Sequence, residues 1–220
     1  MPNNLHAKRT LFASGGEAKV FRKSTEEMNK TGPRRSNLVR VFRTHHNPPL
    51  DYYANTDPRR RYYDHKIIDI LFPGHVSLFK LLIKPNPRAK NYYYELHSTE
   101  VPLNKELEDY NEMRRRTGAI TQSFYSPEYK AHKKEVSSNS EVQRLKQAMR
   151  ELGISAGLEN ATNVSVANPE KPVFFEAFID EPNKLLTKLD SIPYLTPPQK
   201  NRIRKLLKLG KNELQQKRQK

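Results

Sequence analysis

Two short stretches near the start of the chain alternate apolar and polar positions with a period of two. Ala18, Val20 and Arg22 alternate with Lys19, Phe21 and Lys23, and Val39, Val41 and Arg43 alternate with Leu38, Arg40 and Phe42. That alternation predicts two half-buried strands. The polar residues 24–37, with Gly32-Pro33 as a turn, separate them, and a second irregular stretch, rich in Pro, Asn and Asp, covers 45–61. The period then changes. Tyr63, Ile67, Ile70 and Leu71 fall at i, i+4, i+7 and i+8, one face of a helix that Pro73-Gly74 stops. Residues 77–84 and 92–96 predict two further strands around a Pro-Asn-Pro turn.

The second half is more helical. Residues 104–135 are charged and partly helical, without a clear register. Ser140-Glu-Val-Gln143 is a capping-box pattern, which predicts a helix starting at Ser140. Val142, Leu145, Met149 and Leu152 continue it on one face, and Gly153 ends it. Residues 163–167 and 173–179 predict a hairpin closed by Asn168-Pro-Glu-Lys171. Thr196-Pro-Pro opens a last helix, with Ile203, Leu206, Leu207 and Leu214 as its apolar stripe. The order predicts an α+β fold, strand-rich at the N-terminal end and helix-rich at the C-terminal end. The expected division is residues 1–96, then 97–195, then a basic amphipathic helix over 196–220.

Composition changes the picture in two places. With 220 residues and 35% apolar residues the chain can bury a core of one bilobal domain or two small ones. It holds no cysteine, which excludes disulfides and thiolate metal sites. No apolar run is long enough to span a bilayer, and the opening residues lack a secretory signal, so a cytoplasmic protein without membrane contact is expected. The net charge of +16 is uneven. Residues 1–66 hold 14 Lys/Arg against 6 Asp/Glu, 198–220 hold 9 against 1, and 67–197 hold 17 against 17. Basic ends around a neutral middle are either a solubilised surface or a field that draws polyanions such as RNA.

Candidate chemistry sits in two distant segments. The first is Phe12-Ala-Ser-Gly-Gly-Glu-Ala-Lys-Val-Phe-Arg22, followed by Leu38-Val-Arg-Val-Phe-Arg-Thr44. Gly15 and Gly16 are either a turn with positive φ or a phosphate-facing loop. Arg40 is either a solvated strand residue or a phosphate contact. The second segment is Asn160-Ala-Thr-Asn-Val-Ser-Val166 and Pro172-Val-Phe-Phe-Glu-Ala-Phe178. Asn163 either closes a turn or acts as a ligand. Glu176, between Phe175 and Phe178, needs a partner: a metal, a cation or a backbone N–H. It could hold Mg²⁺ together with Asn163 or pair with Arg40. The histidines show no metal-ligand spacing, and no nucleophile elbow is present.

These segments resemble the two ends of the nucleotide cleft of the protein-kinase-like superfamily, and Ser14-Gly-Gly-Glu-Ala-Lys-Val-Phe21 is closest in wording to the RIO atypical kinases. The resemblance spans residues 10–180 and implies a bilobal fold with a reduced helical lobe. It aligns Ala13, Gly15, Ala18 and Val20 with the glycine loop, of whose three glycines only Gly15 survives, and puts Gly15 and Gly16 at the phosphates. It also aligns Arg40 with the nucleotide lysine and Asn163 with the metal-binding asparagine. Glu176, thirteen residues further on, aligns with the metal-binding aspartate. ATP and Mg²⁺ are the implied cofactors, with Asn163 and Glu176 as metal ligands. The departures lie in the chemistry. Leu158 stands where the catalytic aspartate belongs, the last triplet is Glu176-Ala-Phe178, and Asp64 is the nearest stand-in for the helix glutamate. The resemblance therefore implies a pseudokinase that binds nucleotide or a protein partner. The alternatives are an active atypical phosphotransferase with Glu159 or Asp180 as base, and a nucleic-acid or ribosome-associated binder.

Overall fold

The computed structural model describes residues 10–14, 18–23, 38–42, 58–85, 92–98, 100–117, 122–157 and 160–216. Chain contacts divide the protein into two units, residues 1–58 with 78–100, and residues 59–77 with 101–220. The described elements are α+β.

The first unit carries one antiparallel sheet in the order β1-β2-β3-β5-β4. Its strands are β1 (Thr10–Ser14), β2 (Ala18–Arg22), β3 (Leu38–Phe42), β4 (Lys80–Pro85) and β5 (Tyr92–Ser98). The two alternating stretches of sequence are thus β2 and β3. A register irregularity between Leu11 and Ala13 breaks the β1–β2 ladder. The backbone of Arg40 pairs with Val20 on one side and Leu96 on the other, so it lies in the central strand. Val39 and Leu96 are fully buried.

The second unit is mainly helical. Its helices are α1 (Pro58–Leu71, grouped here from Arg59), α2 (Lys105–Thr117), α3 (Pro127–Ser138), α4 (Ser140–Glu151), α5 (Pro182–Leu189) and α6 (Pro197–Gln216). The helix expected within 1–96 therefore groups with the second unit. Residues 104–135, which carried no readable register, form α2 and α3 with a short 3-10 turn (Gln122–Tyr125) before α3. Charge placement explains α2: Glu106 and Glu108 occupy its first turn and Arg114, Arg115 and Arg116 its last, each complementing the helix dipole. For α3, Ser126 caps the N-terminus by accepting from the Tyr129 N–H, and Pro127 follows at the first helical position.

Two tiny antiparallel ladders thread this unit. β6 (Ile154–Ser155) pairs with β9 (Phe178–Ile179), and β7 (Val164–Ser165) pairs with β8 (Val173–Phe174). The hairpin expected over 163–167 and 173–179 is thus realised only at its closed end. The Phe175 N–H continues the ladder by one bond, to the Asn163 carbonyl at 2.7 Å, and beyond it the Ala177 and Ile179 N–H groups turn to His65 and Asp64 of α1. The core gathers Ile67, Ile68 and Leu71 of α1, Val142, Leu145 and Met149 of α4, and Phe174, Leu185, Leu189 and Ile203. Each such side chain contributes roughly 1.5–3 kcal/mol on burial. In α6, Ile203 is fully buried, Leu206 and Leu207 pack partly buried against the core, and Arg202, Lys205 and Lys208 are exposed; the side chain of Leu214 lies outside the described residues. No described helix is long and apolar enough to cross a membrane.

The start of α4 differs from expectation by one residue. Asn139, not Ser140, is the cap: its side chain accepts from the Val142 N–H at 2.8 Å. Gln143 does not close a capping box, since its amide donates to the Val136 and Ser137 carbonyls. Asn139→Ala is expected to lose about 1 kcal/mol of stability in urea unfolding. Ser140→Ala should lose far less, and the reverse order would restore Ser140 as the cap.

Candidate functional site

The inward face of α1 is half polar. Arg61 (1% exposed), Asp64 and His65 are buried beside Ile67, Ile68 and Leu71. Of the apolar stripe read from the sequence, Ile67 and Leu71 are buried, whereas Tyr63 and Ile70 are only partly covered. The buried face is rotated toward Arg61, Asp64 and His65, which find polar partners on the segment that follows β8, with Ile68 buried beside them. Spacings of three and four keep these side chains on one face.

Each polar side chain of that face holds a successive part of the segment 176–180. Arg61 donates from Nη1 to Glu176 Oε1 at 3.0 Å, and its guanidinium lies 5.3 Å from the centre of the Phe178 ring. His65 accepts the Ala177 N–H on Nε2 at 3.4 Å, which leaves Nδ1 as the donor to the Ser77 carbonyl at 2.7 Å. Asp64 accepts the Ile179 N–H at 3.1 Å and Arg60 Nε at 3.3 Å. Arg60 also donates to the Ile179 carbonyl at 2.9 Å and reaches Asp180 at 3.5 Å. The extended segment is therefore fixed by side chains rather than by a long ladder.

Asn163 arrives from the other side. Asn160 accepts from the Thr162 N–H and the Asn163 N–H bonds to the Asn160 carbonyl, which winds Ala161–Asn163 into a 3-10 turn. Asn163 donates from Nδ2 to the Gly157 carbonyl at 3.0 Å, and its own carbonyl accepts the Phe175 N–H. Gly157 has φ +60, and a Cβ there would lie 2.8 Å from the Glu176 carbonyl oxygen, 3.3 Å from Glu176 Cβ and 3.4 Å from Asn163 Nδ2. Only glycine fits both the dihedral and the space. His132 buttresses the turn from below: it donates from Nε2 to the Ala161 carbonyl at 2.9 Å and accepts from Asn104 on Nδ1 at 3.0 Å. Burial holds its pKa below the usual histidine range, consistent with that neutral form.

Asn163 and Glu176 thus both lie against Gly157. Arg40 belongs to the first unit, where only its backbone is described, and Gly15, Gly16, Leu158 and Glu159 lie outside the described residues. Asp64 supports the strand backbone and Arg60. Sequence reading missed Arg61, His65, Gly157 and His132. Arg61 was hidden because the irregular stretch reads as running to residue 61, whereas the helix already starts at Pro58.

The donor set decides how well Mg²⁺ would suit Asn163 and Glu176. Mg²⁺ requires a near-octahedral set of hard oxygen ligands. Glu176 is already neutralised by Arg61, whose side chain is 2% exposed, and a dication at this carboxylate would sit beside a buried guanidinium. Among the described residues no group of three or more His, Asp or Glu could hold a metal ion. The pair does not fit Mg²⁺ in this arrangement. No family model matches the sequence, and no curated protein matches it.

The adjacent groups Asp64 and His65 titrate in opposite senses. Burial raises the Asp64 carboxyl from 3.8 to about 6, against the opposing pull of Arg60 and the Ile179 N–H. Burial lowers His65 from 6.5 to about 4, against the opposing hydrogen bond to Ser77. Between about pH 6.5 and 4 the unfolded chain protonates His65 first, so stability falls as pH falls. Between about pH 6 and 3.8 the folded chain protonates Asp64 first, so stability rises as pH falls. The two slopes oppose each other in their shared window. Urea unfolding at pH 7 and pH 4.5 should show Asp64→Asn losing more stability on acidification than the wild type, and His65→Gln losing less. Identical pH responses in all three proteins would refute the opposed titration.

Proposed function

We propose that this chain is a kinase-like protein that works by binding and not by phosphoryl transfer. The observation that carries the reading is the Arg61–Glu176 ion pair, which commits the carboxylate at the metal-ligand position to a buried guanidinium. Phosphoryl transfer needs divalent cations to neutralise charge on the phosphates and a residue that orients the acceptor hydroxyl. Here the first role conflicts with Arg61, and the resemblance in sequence puts Leu158 at the second.

Several features support the kinase-like part of the reading. A five-stranded antiparallel sheet has a helix, α1, inserted in sequence between β3 and β4. Two short ladders, β6–β9 and β7–β8, bracket Asn163 and Glu176. The spacing of thirteen residues between those two side chains matches the resemblance in the sequence. Asp180, the alternative base of an active enzyme, is engaged by Arg60 at 3.5 Å.

The test pairs a transfer assay with calorimetry. With labelled ATP and generic protein acceptors, no transfer above the blank is expected, and Mg²⁺ should add nothing to the affinity for ATP. Turnover that disappears in Glu176→Ala or Asp180→Asn would overturn the reading in favour of an active phosphotransferase.

A further inference from the structure

A cavity of about 430 Å³ opens in the second unit, and its lining shares Gly157 with the Asn163–Glu176 site. It is lined by residues 153–157, which include β6, by Lys146 and Arg150 of α4, and by Asp180 and Glu181. The volume is within the range of small-ligand sites.

The charges in the lining are not equivalent. Asp180 lies 3.5 Å from Arg60, and Glu181 lies 3.1 Å from Lys184, so both carboxylates face cations of their own chain. Lys184 also donates to the Arg150 carbonyl at 3.2 Å, so its ammonium bridges that carbonyl and Glu181. Lys146 and Arg150 differ: among the described residues their head groups enter no hydrogen bond or ion pair. They are four residues apart on α4, so they stand on one face about 5–6 Å apart at Cβ. Two uncommitted cations at that spacing, lining one cavity, can converge on one anion. Arg150 offers a planar fork and Lys146 a point charge, a combination suited to a phosphate with three acceptor oxygens. The cavity is much larger than a bare phosphate, so the anion comes attached to a body.

We propose that Lys146 and Arg150 form the anchor of a binding site for a small phosphorylated molecule, whose body lies along the β6 backbone. This site does not depend on whether the chain is kinase-like, since neither cation belongs to the Asn163–Glu176 pair.

The experiment is an amide NMR titration of the full-length, isotopically labelled chain with O-phosphoserine and with inorganic phosphate, at fixed ionic strength against chloride. Saturable shifts are expected at Gly153, Ser155, Ala156 and Gly157, with O-phosphoserine binding more tightly than inorganic phosphate. Lys146→Gln combined with Arg150→Gln should weaken O-phosphoserine at least about tenfold, about 1.4 kcal/mol. Lys133→Gln combined with Lys134→Gln, two exposed cations of α3, should leave it unchanged. Both pairs are on exposed helix surfaces, and the unliganded spectrum reports that the fold is kept. The proposal is overturned if the shifts fail to saturate, if chloride reproduces them, or if they survive loss of Lys146 and Arg150.

Discussion

A guanidinium taken out of water must be matched by a negative charge, and the architecture of the second unit follows from that requirement at Arg61. The side chain is 2% exposed, and a charge so placed costs several kcal/mol unless it is paired and hydrogen-bonded. Glu176 supplies the charge and Phe178 the flat ring surface. Once Arg61 is seated, His65 and Asp64 come to lie opposite the Ala177 and Ile179 amides, because three- and four-residue steps along a helix follow the strand beside it. A strand of only two paired residues, β9, is in this way held in place by one face of α1.

The same network separates structural from chemical use of an acid. A carboxylate that compensates a buried cation is poorly placed to accept a second, divalent one. On the proposed reading, the residue at the metal position has been turned into a structural partner, and the segment keeps its course without its chemistry. The neighbouring Asn163 has a comparable role. Its carbonyl and its amide both secure backbone, at Phe175 and Gly157, and His132 secures the turn that presents it. Rigid backbone around Gly157 is what these bonds produce.

Strands and helices with a clean period were legible in the sequence. β2, β3, α4 and α6 follow directly from alternation or from a three-to-four spacing of apolar residues. α1 was legible as a helix but not in its orientation, since periodicity counts apolar side chains and its buried face carries Arg61, Asp64 and His65. α2 and α3 were opaque for a related reason: their dense charge conceals the few core residues, Leu107, Tyr110, Tyr129 and Val136, that fix them. The pairing of β9 with β6 could not be read at all, because two-residue ladders are set by long-range partners and leave no local pattern. Asn163 and Glu176 were singled out through the resemblance, whereas Gly157 between them and the cation that holds Glu176 carried no signal of their own.

The most direct test of this account is a double-mutant cycle on Arg61 and Glu176, read by urea unfolding with and without Mg²⁺. Arg61→Gln and Glu176→Gln should each destabilise the protein, and the double variant should lose less than their sum, a coupling of about 1–3 kcal/mol. Mg²⁺ should leave all four stabilities unchanged. A coupling near zero, or a stabilisation by Mg²⁺ that Glu176→Gln abolishes, would show that Glu176 serves a metal and not Arg61.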